Sequence, residues 1–258
     1  MPTEMINGFR MYYEVAGSGV PLLFVHGGLG GGRGSATFRQ HQMAALAEHA
    51  EVIAFDRRAA GVSETPASGY SFERFIEDIF ALLDYLGHQR VILMGTSAGG
   101  PQILQATLTA PERVIGLILG STASQTVNVP PELASLITFL GTDGLTQLQT
   151  MLSQSGPTTA DGTALHPAQQ FGGVLQTYLA YHLHGNPIAD RLGEITAPGL
   201  ILHGTADEEV PFAEAEQLKA SLANATLIPF EAGGHGIMGT HADAYREAIV
   251  PFLHSLTA

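Results

Sequence analysis

The sequence predicts an α/β protein with a mostly parallel central sheet, helices on both faces and one inserted helical segment. Two observations carry this expectation. Short, continuous runs of apolar and β-branched residues alternate with longer segments of helical periodicity, as in strands covered on both faces. Strand-like runs then stop between about residues 124 and 196 and resume afterwards. A chain of 258 residues is long enough to bury a sizeable core in one large α/β domain or in two smaller ones.

Taken in order, the expected strands are "FRMYYEVAG", "PLLFVHG", "EVIAFD", "RVILMG", "VIGLILG", "GLILHG" and "ATLIPF". Only turn material around Gly17, Gly19 and Pro21 separates the first two, which predicts an antiparallel hairpin at the N-terminal end. Between the strands, "SFERFIEDIFALLDYLG" begins at a capping serine, Ser71, and sets Phe72, Phe75, Ile76, Ile79, Leu82 and Leu83 on one face. It stops at Gly87. "PFAEAEQLKASLA" and "THADAYREAIVPFLHSL" read as two further helices. The region without strands holds helical fragments, "PELASLITFL" and "VLQTYLAYHL", separated by the breaker-rich "SQSGPTTADGTALHP". It divides the chain into a core of residues 1–124 and 197–258 and an insertion of residues 125–196.

Composition narrows the partners. A formal charge of −13, from 24 acidic and 11 basic side chains, opposes binding to nucleic acid or anionic lipid. With no cysteine there is no disulfide framework, thiolate nucleophile or thiolate metal site. The start "MPTEMINGFRMYYEVAG" has no basic segment leading into an apolar run of signal-peptide length, and no run approaches a membrane span. The expectation is a soluble, cytoplasmic chain. Nothing in the sequence speaks to its oligomeric state.

The sharpest local signal is "VILMGTSAGGPQILQATL", where a strand runs into Gly95-Thr96-Ser97-Ala98-Gly99 and then a helix. The pattern G-x-S-x-G holds a serine on a tight, strained strand-to-helix turn, with glycines two residues either side leaving it room. Ser97 is therefore the candidate nucleophile, against the plainer reading of a serine that caps a helix. Such a nucleophile needs a base, and the base needs an orienting group. Of the 11 histidines, His26 and His203 end strands in "HG" turns, and His182 and His184 form a lone H-x-H with no nearby ligands. His235 lies in the glycine-rich "FEAGGHGIMG" after the last strand, where it can project over the edge of the sheet. Its rival, His241, falls at the start of the last helix. Asp207, in "LILHGTADEEVP", is the candidate orienting carboxylate, because Glu208 and Glu209 fall where a helix N-terminus favours acids anyway. The loop after "VIGLILG" reads "STASQTVNVPP" and holds no carboxylate.

The order Ser97, Asp207, His235, the serine turn and the early "HGG" resemble the α/β-hydrolase fold family over nearly the whole chain. The resemblance implies that residues 125–196 form a cap or lid over the site, and that no metal or organic cofactor takes part. "DRRAAGVSE" is similar to the family's Asp-x-Arg-Gly-x-Gly-x-Ser loop at Asp56, Arg58, Gly61 and Ser63, but has Ala59 where glycine is usual. Its expected role is packing. The resemblance also explains "HGGLGGGRGS", residues 26 to 35. No lysine follows Gly27 and Gly32 as in a phosphate-binding loop, and the dinucleotide spacing fails throughout. Instead the family's loop at this place gives one backbone N–H to an oxyanion hole, implying Gly28, with Leu29 as the alternative, together with Ala98 after the nucleophile.

The resulting expectation is a serine hydrolase that cleaves a small carboxylic ester or lactone through an acyl-enzyme. The same residues suit cofactor-free haloperoxidase-like perhydrolysis, carbon–carbon bond hydrolysis or hydroxynitrile cleavage. A ligand receptor with little turnover is the reading from a different class. Within the insertion, Phe139 and Tyr178 are the expected substrate-facing side chains, against the alternative that they serve only the insertion's own packing.

Overall fold

The computed structural model describes residues 3–28, 34–125, 175–181 and 188–256, together with isolated positions 135, 139, 144, 147 and 173. Eight strands form one sheet: β1 (Thr3–Ile6), β2 (Phe9–Ala16), β3 (Pro21–Val25), β4 (Glu51–Asp56), β5 (Val91–Thr96), β6 (Val114–Gly120), β7 (Gly199–Gly204) and β8 (Ala225–Phe230). They lie in the order β1-β2-β4-β3-β5-β6-β7-β8. The first two pairings along this order are antiparallel and the other five parallel.

All seven expected strands are present, but the expected hairpin between the first two is not. β2 pairs with β4, while β3 sits in parallel between β4 and β5. Burial gives the reason. Leu22, Leu23, Phe24 and Val25 are all at most 1% exposed, so β3 needs a strand on each side, whereas β2 exposes Arg10 and Val15 and tolerates a place near the edge. The hairpin that does form joins β2 to β1, a short polar strand that apolar runs could not reveal. Its turn is Asn7-Gly8, with φ of 47° and 83°.

Alternate side chains of the central strands feed two cores, one on each face of the sheet. Leu23, Val25, Ile53, Phe55 and Leu93 face one side, where they meet helices α3 (Phe72–Leu86), α4 (Gly99–Thr109) and α5 (Phe212–Ser221). Leu22, Phe24, Val52, Ile92 and Met94 face the other. There they meet α1 (Ala36–Phe38), α2 (Ala44–Leu46), the short α6 (Ile237–Thr240) and the C-terminal α7 (Ala242–Ser255). Helix α3 begins and ends where its sequence predicts. Ser71 Oγ accepts the Arg74 N–H at 3.2 Å, and Gly87 closes the helix at φ 82°. Most of the expected insertion lies outside the described residues. Its helical segment 175–181 packs Ala180 and Tyr181 into the core on the α3 side. Among the described residues no helix is long and apolar enough to cross a membrane.

The loop after β4 is organised by a buried carboxylate. Asp56 Oδ1 accepts the Ser35 N–H and hydroxyl, both at 2.8 Å, and the Arg39 guanidinium at 3.1 Å; Oδ2 accepts the Val62 N–H at 2.9 Å. Ser63 Oγ receives the Tyr12 N–H at 2.8 Å and donates to the Asp56 carbonyl. Next along the loop, Arg58 forms a two-point ion pair with Asp78 of α3 at 2.7 and 2.6 Å. Ala59 adopts a left-handed φ of 59°, so the turn that usually takes glycine keeps its shape despite the β-carbon. This loop does serve packing, as expected.

Burial by itself would raise the Asp56 carboxyl, but the Ser35 and Val62 N–H bonds outweigh it and hold the group below the ordinary carboxylate value. Asp56→Asn therefore lowers the unfolding free energy by about 2–4 kcal/mol in urea titrations at neutral pH. The difference from wild type is full above the unfolded carboxyl value of about 4 and shrinks as pH falls through the depressed folded value. A gap that stays constant down to strong acid contradicts this account.

Candidate active site

Ser97 sits between β5 and α4 with φ of 50°, a left-handed conformation rarely adopted by non-glycine residues. Its neighbours make that turn possible by lacking β-carbons. A β-carbon on Gly95 would lie 2.8 Å from the Gly99 carbonyl oxygen, one on Gly99 would strike the Val25 carbonyl, and one on Gly27 would lie 2.8 Å from Ser97 Cβ. The turn is pinned by three hydrogen bonds. Ser97 N–H donates to the Gly120 carbonyl at 3.0 Å, while the Ser97 carbonyl accepts from Gly100 N–H at 2.9 Å and Thr122 Oγ1 at 2.6 Å.

Asp207 follows β7 with its side chain fully buried. Its Oδ1 accepts the N–H groups of Glu209 and Val210 at 2.9 and 2.8 Å, an arrangement that fixes the carboxylate in its own loop. His235, on the loop after β8, places Nδ1 2.9 Å from Asp207 Oδ2 and 3.2 Å from Oδ1. The carboxylate can only accept, so Nδ1 carries the proton and Nε2 is left as the basic nitrogen. His203 supports the same carboxylate from behind, with Nε2 3.3 Å from Asp207 Oδ2 and 2.8 Å from the Val210 carbonyl oxygen. Burial pushes its imidazole below the ordinary value, so it serves as a neutral donor.

Ser97, His235, Gly27 and Gly28 line one cavity of about 540 Å³, closed by Phe38, Ile237, Met238 and Tyr245. Its size suits a small organic ligand. The structure thus brings the three expected residues to one place and forms the Asp207–His235 pair. Ser97 Oγ makes no hydrogen bond among the described residues, and His235 Nε2 lies 3.6 Å from Glu209 Oε2 at the cavity edge. The N–H groups of Gly28 and Ala98 likewise have no partner among the described residues.

Other expectations fare differently. His241 lies at the start of α7, where its ring meets Phe230, and does not line the cavity. His26 shapes its turn, accepting the Arg57 N–H on Nε2 at 3.0 Å and donating from Nδ1 to the Gly27 carbonyl at 2.7 Å. Phe139, 85% exposed, and Tyr178, packed at the border of the α3-side core, are not among the cavity's described lining residues. Apolar character alone could not tell a ligand-facing ring from a packing one. Leu29, Gly30 to Arg33, His182 and His184 lie outside the described residues. Sequence reasoning assigns Glu209, at the cavity edge, only to a helix start, and gives no role to Thr122 against the serine turn. Neither carries a motif; only the loops' three-dimensional paths reveal them.

A family model described as alpha/beta hydrolase fold matches residues 20–179, and one described as TAP-like protein matches residues 182–258. The chain is 28% identical to a non-heme chloroperoxidase from Streptomyces lividans, over 96% of this chain and 98% of that protein. It is also 28% identical to a 2-hydroxy-6-oxononadienedioate/2-hydroxy-6-oxononatrienedioate hydrolase from Paraburkholderia xenovorans, over 95% and 90%. Among solved structures, an esterase from Exiguobacterium antarcticum superposes with a TM-score of 0.73 at 26% identity, covering 98% of each chain.

The crowding at the serine turn can be tested without an assay of activity. Gly99→Ala should cost about 1–3 kcal/mol or more in chemical denaturation, because its methyl group meets backbone that cannot yield. Gly236→Ala, whose methyl would have only Thr240 Cγ2 at 3.9 Å, should stay within about 0.5 kcal/mol. Equal effects from the two substitutions would contradict the crowding argument.

Proposed function

The chain belongs to the alpha/beta hydrolase fold family, and from that membership we propose that it is a serine hydrolase, cleaving a small carboxylic ester or lactone through an acyl-enzyme. The observation that carries the reading is the Asp207–His235 pair opening onto the same cavity as the strained Ser97. In this reading His235 Nε2 takes the Ser97 hydroxyl proton as Oγ attacks the acyl carbon. The carbonyl oxygen, now negative, lies between the N–H groups of Gly28 and Ala98. Collapse of the tetrahedral intermediate breaks the acyl–oxygen bond, and His235 returns the proton to the leaving alkoxide. Water, deprotonated by the same imidazole, then releases the acid and restores Ser97. Asp207 holds the imidazole in the tautomer that keeps Nε2 free and stabilises its charge once protonated.

For Ser97 and His235 to exchange a proton, Oγ and Nε2 must come within hydrogen-bond reach of one another. Catalytic hydrogen bonds that tighten only with substrate bound are common in this chemistry. The similarity to a chloroperoxidase favours one second reading. Hydrogen peroxide in place of water at the second step would attack the same acyl-enzyme and leave as a peracid.

Ser97→Ala should reduce kcat on p-nitrophenyl acyl esters by about 10⁴-fold or more while the fold is kept. Undiminished turnover by this variant would defeat the assignment. A panel of esters, lactones and vinylogous diketones, run with and without peroxide, ranks the chemistries by kcat/KM, and the ester and lactone members should lead it.

A further inference from the structure

The two N–H groups assigned to the oxyanion hole belong to peptide units whose carbonyls are held in unusual ways. The Gly28 N–H shares a plane with the Gly27 carbonyl, and the Ala98 N–H shares one with the Ser97 carbonyl. Because a peptide unit is rigid and planar, whatever holds the oxygen also aims the N–H on the opposite side. The Gly27 oxygen accepts His26 Nδ1 at 2.7 Å and Arg57 Nη2 at 3.2 Å, and Arg57 Nη2 also donates to the Gly28 carbonyl. The Ser97 oxygen accepts Thr122 Oγ1 at 2.6 Å beside the helical bond from Gly100.

Arg57 is unusual in a second respect. It is only 4% exposed and forms no ion pair among the described residues; it spends its donors on the Gly27 and Gly28 carbonyls and, at 3.2 Å, on the Tyr181 hydroxyl. That hydroxyl also accepts Gln102 Nε2 at 2.7 Å and donates to the Ala98 carbonyl, which belongs to the peptide unit that follows the one carrying the Ala98 N–H. A buried guanidinium without a carboxylate is costly, and packing alone does not require one. Behind an oxyanion hole it has a use. Its positive charge lies where it would favour negative charge developing on the substrate.

We propose that Arg57 and Thr122 are positioning residues for the oxyanion hole, each aiming one N–H by holding the carbonyl at the other end of its peptide plane, with Arg57 adding positive charge behind it. Hydrogen bonding at each carbonyl also polarises its peptide unit and strengthens the N–H as a donor. The loop after β6, which carries no acid for the histidine, contributes here through Thr122.

The proposal rests on the hydrolase reading, and its test separates the two. Arg57→Met, Thr122→Val and the conservative Arg57→Lys and Thr122→Ser are compared with wild type by backbone amide resonances of the free protein and by ester kinetics. Arg57→Met should move the Gly28 amide and Thr122→Val the Ala98 amide, each lowering kcat about 10-fold or more with KM within about twofold, since a misaimed donor forfeits part of what a lost one does. Thr122→Ser should restore both amide and kcat, and Arg57→Lys should recover part of the rate. If Arg57→Met does not fold, Arg57→Lys and the two Thr122 variants decide. Unmoved amides overturn the proposal whatever the kinetics, and so does an unchanged kcat when the amides have moved. A wild type that turns over no acyl ester defeats the hydrolase reading, leaving the amides to decide the aiming of the N–H groups.

Discussion

The left-handed turn at Ser97 depends on the absence of β-carbons around it, and much of the architecture serves that absence. β5 delivers the serine at the carboxyl edge of the sheet, α4 begins directly beyond it, and β3 ends close enough that the Val25 carbonyl fills the space a side chain at Gly99 would need. The parallel packing of β3 and β6 against β5 sets these distances. A shift of either strand would open the turn or crush it. The strain in the turn is thus maintained by the close packing of the sheet around it.

Buried charge organises the loops above that edge. Asp56 gathers Ser35, Arg39 and Val62, so the end of the glycine-rich loop and the loop after β4 share one anchor. Asp207 is fixed by two N–H groups of its own loop and presents its remaining face to His235 and His203. Each carboxylate is satisfied on several sides, which is what makes its burial tolerable and its direction definite. Arg57 stands out against this pattern, since among the described residues its Nη1 and Nη2 end on carbonyls and a hydroxyl. The cavity therefore has an acid-backed histidine in its lining, and Gly27 and Gly28 of that lining have their carbonyls held by the guanidinium.

Much of this is legible in the sequence. Continuous apolar runs located seven strands because a strand covered on both faces must be apolar at every position, and Ser71 and Gly87 delimited α3 because caps act locally. G-x-S-x-G marked Ser97 for a steric reason that holds wherever the motif joins a strand to a helix. The errors have a common cause. β1 is too short and polar for an apolar pattern, and the partner of β2 is not readable locally because pairing depends on which strands need covering across the whole sheet.

The sequence by itself determined the kinds of element, their order and the residue types at the site, because propensity, capping and the crowding of a tight turn act within a few residues. Tertiary structure alone decided which of the acids and histidines meet, that Glu209 stands at the edge of the cavity, and that Arg57, Thr122 and Tyr181 reach the backbone around Ser97. Those contacts join residues up to 124 positions apart. No local pattern encodes them, since they exist only once the sheet has brought its loops to one edge and packing has fixed each side chain's direction.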